Sequence, residues 1–230
     1  MTALAAADGP RAEAASAARI AGDFARCLAF SIARATPFPH WLLAEVLPPA
    51  TARAIAHLAL PLPITGETQG KRETFNQQRV FVAGERLKEP ACHALALAFQ
   101  APETVRRIQA LTGAELSGTF LRVEHCRDTG GFWLEPHTDI GAKRFTMLIY
   151  LSEGPGAADW GTDLYDGGGA WAGRAPAPFN GGLIFVPGAD TWHGFRPRGI
   201  SGVRRSLIVN YVVPEWRARH ELAFPAAPVA

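Results

Sequence analysis

Glu135-Pro136-His137-Thr138-Asp139 sets a His and an Asp two residues apart, and on an extended backbone residues two apart project from the same face. One strand end thus aims two metal-ligating side chains at one point. A third ligand must come from elsewhere. The segment Gly188-Ala189-Asp190-Thr191-Trp192-His193-Gly194 offers a His that follows the apolar run Leu183 to Val186. His137, Asp139 and His193 together make two imidazoles and one carboxylate, which on an octahedral Fe(II) leaves one face open for a cosubstrate and dioxygen. His-x-Asp alone is a common tripeptide, and a lone His on a strand is more often a hydrogen-bonded structural residue, so context has to carry the reading.

That context lies in Gly202-Val203-Arg204-Arg205-Ser206-Leu207-Ile208-Val209-Asn210-Tyr211, a β-prone run. Alternation puts Arg204, Ser206, Ile208 and Asn210 on one face and turns Arg205 and Leu207 away. An Arg followed two residues later by a hydroxyl on an inner face is a ready carboxylate site, because the guanidinium fork binds both oxygens and the Ser adds a donor.

Five motifs follow in order: His137-Thr138-Asp139, Thr146-Met147-Leu148-Ile149-Tyr150-Leu151, Trp160-Gly161-Thr162-Asp163-Leu164-Tyr165, Asn180-Gly181-Gly182-Leu183-Ile184-Phe185 leading to His193, and Arg204-x-Ser206. In this order they resemble the Fe(II)- and 2-oxoglutarate-dependent oxygenases, and among them the prolyl-hydroxylase-like group, over roughly residues 118 to 213. The resemblance implies that His137, Asp139 and His193 hold the iron and form the catalytic centre. It also implies that Arg204 takes the distal carboxylate of 2-oxoglutarate, with Tyr150 and Ser206 as hydrogen-bond partners. Asn210 shares their face and is a further candidate for cosubstrate binding, while Thr146 and Leu148 share a face with Tyr150 and would wall the pocket. The implied reaction is hydroxylation of an unactivated C–H bond by dioxygen, with 2-oxoglutarate decarboxylated to succinate and carbon dioxide. Relatives that halogenate carry a small residue in place of the carboxylate, so Asp139 favours hydroxylation. Gly161-Thr162 stands where many relatives carry Gly-Gly, a departure that bears on the local turn.

The 230 residues suit a single domain with a sizeable core, and 48% hydrophobic with 19% charged content is that of a soluble globular chain. A net charge of +2 from 23 basic and 21 acidic residues is too balanced for an electrostatic grip on nucleic acid or an anionic membrane. Cys27, Cys92 and Cys126 are odd in number and far apart, which argues against a disulfide framework and a structural zinc site. No leader-like start and no bilayer-length apolar run is visible, so a cytoplasmic protein is expected.

The expected fold is α+β, a double-stranded β-helix (jelly-roll, cupin-like) core with N-terminal helices packed on one sheet. Residues 1–117 read as a helical and strand elaboration with a flexible N-terminal arm, 118–213 as the catalytic core, and 214–230 as a C-terminal tail. Ile20, Phe24, Cys27 and Leu28 recur at helical spacing in a helix from Arg11 to Ala29. Pro37 to Leu43 reads as an extended entry piece, Ala50 to Leu60 as a short helix, and Arg72 to Val82 as a strand. Pro90 and Pro102 open two further helices, the second ended by Gly113. From Gly118 the chain turns to short strands separated by Gly and Pro, the pattern of an antiparallel jelly roll. Glu153 to Gly182, rich in Gly, Ala and Pro, reads as its longest irregular stretch and as a candidate mobile flap.

Two other classes compete. A cupin-like module could hold a metal or small ligand without turnover, and a hydrolytic zinc enzyme could use the same ligand types; neither accounts for a buried carboxylate receptor at Arg204. The partner expected is a small-molecule or peptidyl substrate, with Arg79, Arg122, Trp133 and Arg144 around the mouth.

Overall fold

Ile20, Phe24, Cys27 and Leu28 are the buried stripe of α1 (Asp8–Ala29), as their spacing predicts. The computed structural model describes residues 8–59, 70 and 79–230. Helix α1 packs on α3 (Pro90–Gln100) and α4 (Pro102–Thr112), with Phe24 and Phe99 edge to face at 5.0 Å. Both latter helices begin on Pro, whose missing N–H is not needed in a first turn. Gly113 ends α4 in the left-handed region and returns its N–H to Gln109. The short helix α2 spans Pro49–Ala56 and stops before the Leu60 expected from sequence.

The strands, in chain order, form two antiparallel sheets. The larger contains β1 (Ile32–Arg34), β2 (His40–Leu43), β3 (Arg79–Phe81), β4 (Phe120–Asp128), β6 (Lys143–Tyr150), β9 (Gly182–Phe185) and β11 (Arg204–Val212), arranged β1-β2-β9-β6-β11-β4-β3. The smaller contains β5 (Leu134–His137), β7 (Asp163–Tyr165), β8 (Trp171–Arg174) and β10 (His193–Phe195), arranged β5-β10-β7-β8. This is a jelly roll with helices on the outer face of the larger sheet. Leu207, Val209 and Tyr211 of β11 enter one core with Phe24, Leu95 and Phe99, and the Tyr211 hydroxyl donates to the Phe99 carbonyl at 2.6 Å.

Two expectations gain detail and a third is corrected. The entry piece is part of the larger sheet, since β2 pairs with β9 from His40↔Phe185 to Leu43↔Gly182. Of the Arg72 to Val82 strand, Arg79–Phe81 pairs with β4; Arg72 to Gln78 lie outside the described residues. The Glu153 to Gly182 stretch is not irregular, because β7 and β8 form a hairpin in it. Its triple glycine is the hairpin tip, tied down by Asp166, whose carboxylate accepts the N–H groups of Gly168 and Ala170 at 2.9 Å each. Ala175 and Ala177 are buried behind it.

The residues after β11 are fastened to β4. Leu222 bridges Arg122, and Val229 exchanges backbone hydrogen bonds with Gly118 and Thr119 at 2.9 and 2.8 Å. Among the described residues no helix is long and apolar enough to cross a membrane.

Candidate metal and cosubstrate site

His137 closes β5 and His193 opens β10, and the two are direct partners across the smaller sheet. Their rings lie 4.4 Å apart, and Asp139, two residues past His137, completes a group whose ligand atoms all lie within 4.8 Å of one another. Gly194 permits the arrangement. A Cβ there would come within 2.8 Å of the Leu134 carbonyl oxygen and 2.9 Å of that of Glu135, where the β5–β10 register shifts.

The two imidazoles are held alike. His137 Nδ1 donates to Glu135 O and His193 Nδ1 to Thr191 O, each at 2.9 Å. A carbonyl only accepts, so both protons sit on Nδ1 and both Nε2 lone pairs remain for a metal. Burial pushes His193 down to about 4, against the opposing pull of Asp139, so its ring is neutral at physiological pH. Burial works against ionising Asp139, yet the Lys143 ammonium and the hydrogen bonds from Lys143 and Thr146 outweigh it and hold the carboxyl well below the usual range. Lys143 Nζ meets Oδ1 and Thr146 Oγ1 meets Oδ2, both at 2.6 Å. Two Nε2 atoms and one ionised carboxylate are a donor set that suits a divalent first-row ion.

These residues sit at one side of a cleft of about 570 Å³ between the sheets. The far wall is the inner face of β4, β6 and β11, where Arg204, Ile208, Thr146, Leu148, Arg122 and Glu124 line the cavity. Arg204 is buried; Nε donates to Trp160 O at 2.7 Å and Nη1 to Asp128 Oδ2 at 2.5 Å. Its guanidinium lies 4.6 Å from the Phe195 ring centroid, and Nη2 makes no hydrogen bond among the described residues. Ser206 Oγ is buried with no partner there either. The Tyr150 hydroxyl donates to Thr162 Oγ1 at 2.9 Å, and burial raises its pKa. Gly161 is required for this turn, since a Cβ would overlap the Ala175 carbonyl oxygen, whereas Thr162 is free to reach Tyr150. Arg205, opposite Arg127, sits on the helix side with Leu207.

Asn210 is fully buried and committed within the protein. Its amide donates to Phe145 O at 3.2 Å and Thr146 Oγ1 at 2.9 Å and accepts from Arg122 Nη1 at 3.2 Å. Of the expected mouth residues, Arg122 is buried in the cleft wall and Arg79 lines it. Arg144 is exposed and borders a neighbouring hollow with Gly188 and Glu215. Trp133 carries Gly70 so close on its ring that a Cβ at Gly70 would come within 2.5 Å. The β7–β8 hairpin contributes none of its strand residues to the cleft; Thr162 just before it is the contact.

Sequence reasoning missed Asp128, Glu124, Lys143, Trp216 and Glu221. Glu124 and Asp128 continue the alternation from Arg122 along β4 and were there to be found; Lys143 opens β6 just past a turn, at the end of the strand where alternation begins, and Trp216 and Glu221 come from beyond the last strand, where no periodicity points to them.

No family model matches the sequence, and no curated relative matches it. Solved structures do. A prolyl hydroxylase from Trichoplax adhaerens, in complex with a hypoxia inducible factor oxygen degradation domain peptide fragment, is 14% identical over 88% of this chain and 93% of its own, with a TM-score of 0.57. An oxidoreductase of the 2OG-Fe(II) oxygenase family from Burkholderia pseudomallei is 20% identical over 90% and 94%, with a TM-score of 0.52. The non-heme alpha ketoglutarate dependent epimerase SnoN from nogalamycin biosynthesis is 16% identical over 89% and 84%, with a TM-score of 0.50.

Proposed function

We propose that this chain, which has the jelly-roll fold of the prolyl hydroxylases and 2OG-Fe(II) oxygenases, is itself an Fe(II)- and 2-oxoglutarate-dependent oxygenase that hydroxylates an unactivated C–H bond. The observation that carries the reading is the meeting of His137, Asp139 and His193 in a cleft whose opposite wall presents Arg204. In this reading iron with bound 2-oxoglutarate and dioxygen supplies the oxidising power, releasing succinate and carbon dioxide as one oxygen atom passes to substrate.

The chain's own residues bind, orient and seal. His137 and His193 offer Nε2 because their carbonyl partners hold the protons on Nδ1. Arg204 receives the distal carboxylate of 2-oxoglutarate through the edge of its fork that Asp128 and Trp160 leave open. Burial strengthens that pairing, because neither charge has water to fall back on. Ser206, with an unspent hydroxyl, adds a donor. Tyr150 acts from behind through Thr162. Asn210, whose bonds are spent inside the sheet, serves the metal side of the site rather than the cosubstrate.

The rest of the cleft wall is polar. Arg79 and Arg122 converge on Glu124, and Arg122 reaches Glu221 at 2.6 Å, with Trp216 alongside. That wall suits a polar small molecule or a peptidyl side chain; the Trichoplax neighbour's peptide is in keeping with the second. The epimerase among the neighbours carries the same fold to another outcome, so hydroxylation rests on the carboxylate ligand Asp139 and on the motif order. Cys27 and Cys92, both buried as free thiols, suit a reducing compartment such as the cytoplasm.

The test is succinate formation from 2-oxoglutarate with Fe(II) and ascorbate, with a metabolite and peptide panel read by mass for the gain of one oxygen. Wild type should form succinate, and His193→Ala should form none. Full activity in His193→Ala would remove the triad, and 2-oxoglutarate that is bound but never decarboxylated would favour the cupin-like binding module.

A further inference from the structure

Arg122 on β4, Asn210 on β11 and Thr146 on β6 are direct cross-strand partners and form one row across the larger sheet. Hydrogen bonds run along it: Arg122 Nη1 to Asn210 Oδ1 at 3.2 Å, Asn210 Nδ2 to Thr146 Oγ1 at 2.9 Å, and Thr146 Oγ1 to Asp139 Oδ2 at 2.6 Å. The proton positions are forced. An ionised Asp139 only accepts, so the single hydroxyl proton of Thr146 points to it. The Thr146 oxygen must then accept from the Asn210 amide nitrogen, and the amide oxygen must face Arg122, which only donates. A buried cation thus polarises two neutral groups toward one buried carboxylate, in surroundings that strengthen each bond. The row also reaches the second ligand, for the next partner of Thr146 is Phe185, whose ring lies 4.8 Å from that of His193.

We propose that Thr146 and Asn210 are positioning residues for the metal: they hold the Asp139 carboxylate in one orientation between Lys143 and the two imidazoles, though neither takes a coordination position itself. Each carboxylate oxygen has two lone-pair directions, so bonds from Lys143 and Thr146 leave acceptor capacity on the side of His137 and His193. Arg122 is fixed in turn by Glu221 at 2.6 Å and Glu124 at 2.9 Å and lies between the rings of Phe81 and Trp216, at 4.8 and 5.1 Å. The ligand's orientation is therefore anchored in the substrate-side wall. This rests on the metal-site reading above.

The experiment is Mn(II) titration of the metal-free protein, followed by the electron paramagnetic resonance signal of free Mn(II), with no cosubstrate and no turnover. Thr146→Val keeps the shape and removes the hydroxyl; it should weaken Mn(II) binding about 10- to 100-fold, the usual cost of losing a partner of a metal ligand. Thr146→Ser should bind within a few-fold of wild type. Asn210→Asp keeps a partner for Arg122 but removes the donor to Thr146, so it should also weaken Mn(II) binding, and it serves should Thr146→Val fail to fold. Wild-type affinity in Thr146→Val, or in Asn210→Asp where the valine variant does not fold, would overturn the proposal, as would a Thr146→Ser that binds as weakly as Thr146→Val. Asp139→Ala separates the two levels. If wild type binds Mn(II) no better than Asp139→Ala, the metal-site reading fails and takes this inference with it; if Asp139→Ala alone loses binding, only the inference fails.

Discussion

The two faces of β11 do opposite work with the same backbone. Leu207, Val209 and Tyr211 turn outward into the helices, where they are buried among apolar side chains and held by little more than packing and the Tyr211–Phe99 hydrogen bond. Arg204, Ser206 and Asn210 turn inward and are just as buried, but among charges and amides. Burying apolar surface stabilises at about 25 cal/mol per Å², whereas a buried ion pair roughly breaks even against its desolvation cost. The outer face therefore holds the fold together, whereas the inner face adds little to stability and, in the proposed reading, is kept for what it binds. β4 divides likewise, with Leu121 and Val123 outward and Arg122, Glu124 and Asp128 inward.

Substitutions on the two faces should separate stability from binding. The largest stability effect expected is Phe24→Ala, which leaves a cavity beneath the outer face and should cost about 3–5 kcal/mol in denaturant unfolding; metal affinity of the remaining folded protein should be unchanged. On the inner face Arg204→Ala should weaken 2-oxoglutarate binding by roughly 2–5 kcal/mol, about 30-fold to several thousand-fold, because it removes a charge-assisted partner from a buried carboxylate. Arg205→Ala, one residue along and on the other face, should change it little. Anaerobic titration of the Fe(II) protein, followed by its charge-transfer band, measures both, and a larger loss for Arg205→Ala would contradict the register.

A third expectation concerns pH. Burial, with Arg127 and Arg205 adding to it, pushes His125 down to about 4, below its unfolded value. Between that value and about 6.5 the unfolded chain binds more protons, so stability falls as pH falls through this window. From pH 7 to pH 5 this one residue should cost roughly 2 kcal/mol. His125→Gln should lose correspondingly less stability than wild type over the same range in the metal-free protein; identical slopes would show that His125 does not titrate this way. The smallest effect is that of Tyr211→Phe, which removes the hydroxyl bond to Phe99 and should cost about 1 kcal/mol with no effect on metal binding.

Much of this division was legible before the structure. Alternation assigned Arg204 and Ser206 to one face and Leu207 to the other, because a strand's period of two admits no intermediate answer. Spacing likewise put His137 and Asp139 together. What alternation cannot supply is which strands are neighbours. The row Arg122–Asn210–Thr146 exists because β11 lies between β4 and β6, and nothing local to any of the three strands says so. Asn210 therefore read as a cosubstrate contact, when its bonds run sideways to Thr146 and Arg122. Asp128 sits at the last position of β4, next to the turn, where the end of a strand is hardest to place from sequence. β8, the second strand of the β7–β8 hairpin, was hidden by the glycines around it, which have little strand preference of their own; Trp171 and Arg174 are instead held to the buried Asp163 at 3.1 and 3.2 Å.

The most direct measurement is an anaerobic Fe(II) titration of wild type, His137→Ala, Asp139→Ala and His193→Ala in the presence of 2-oxoglutarate, read by the charge-transfer band that chelated 2-oxoglutarate gives on iron. Wild type should saturate at about one Fe(II) per chain, as one octahedral site built from these three side chains requires, and each variant should lose the band while keeping the far-ultraviolet circular dichroism of the folded protein. A band of full intensity in His193→Ala, or none in wild type, would contradict the account.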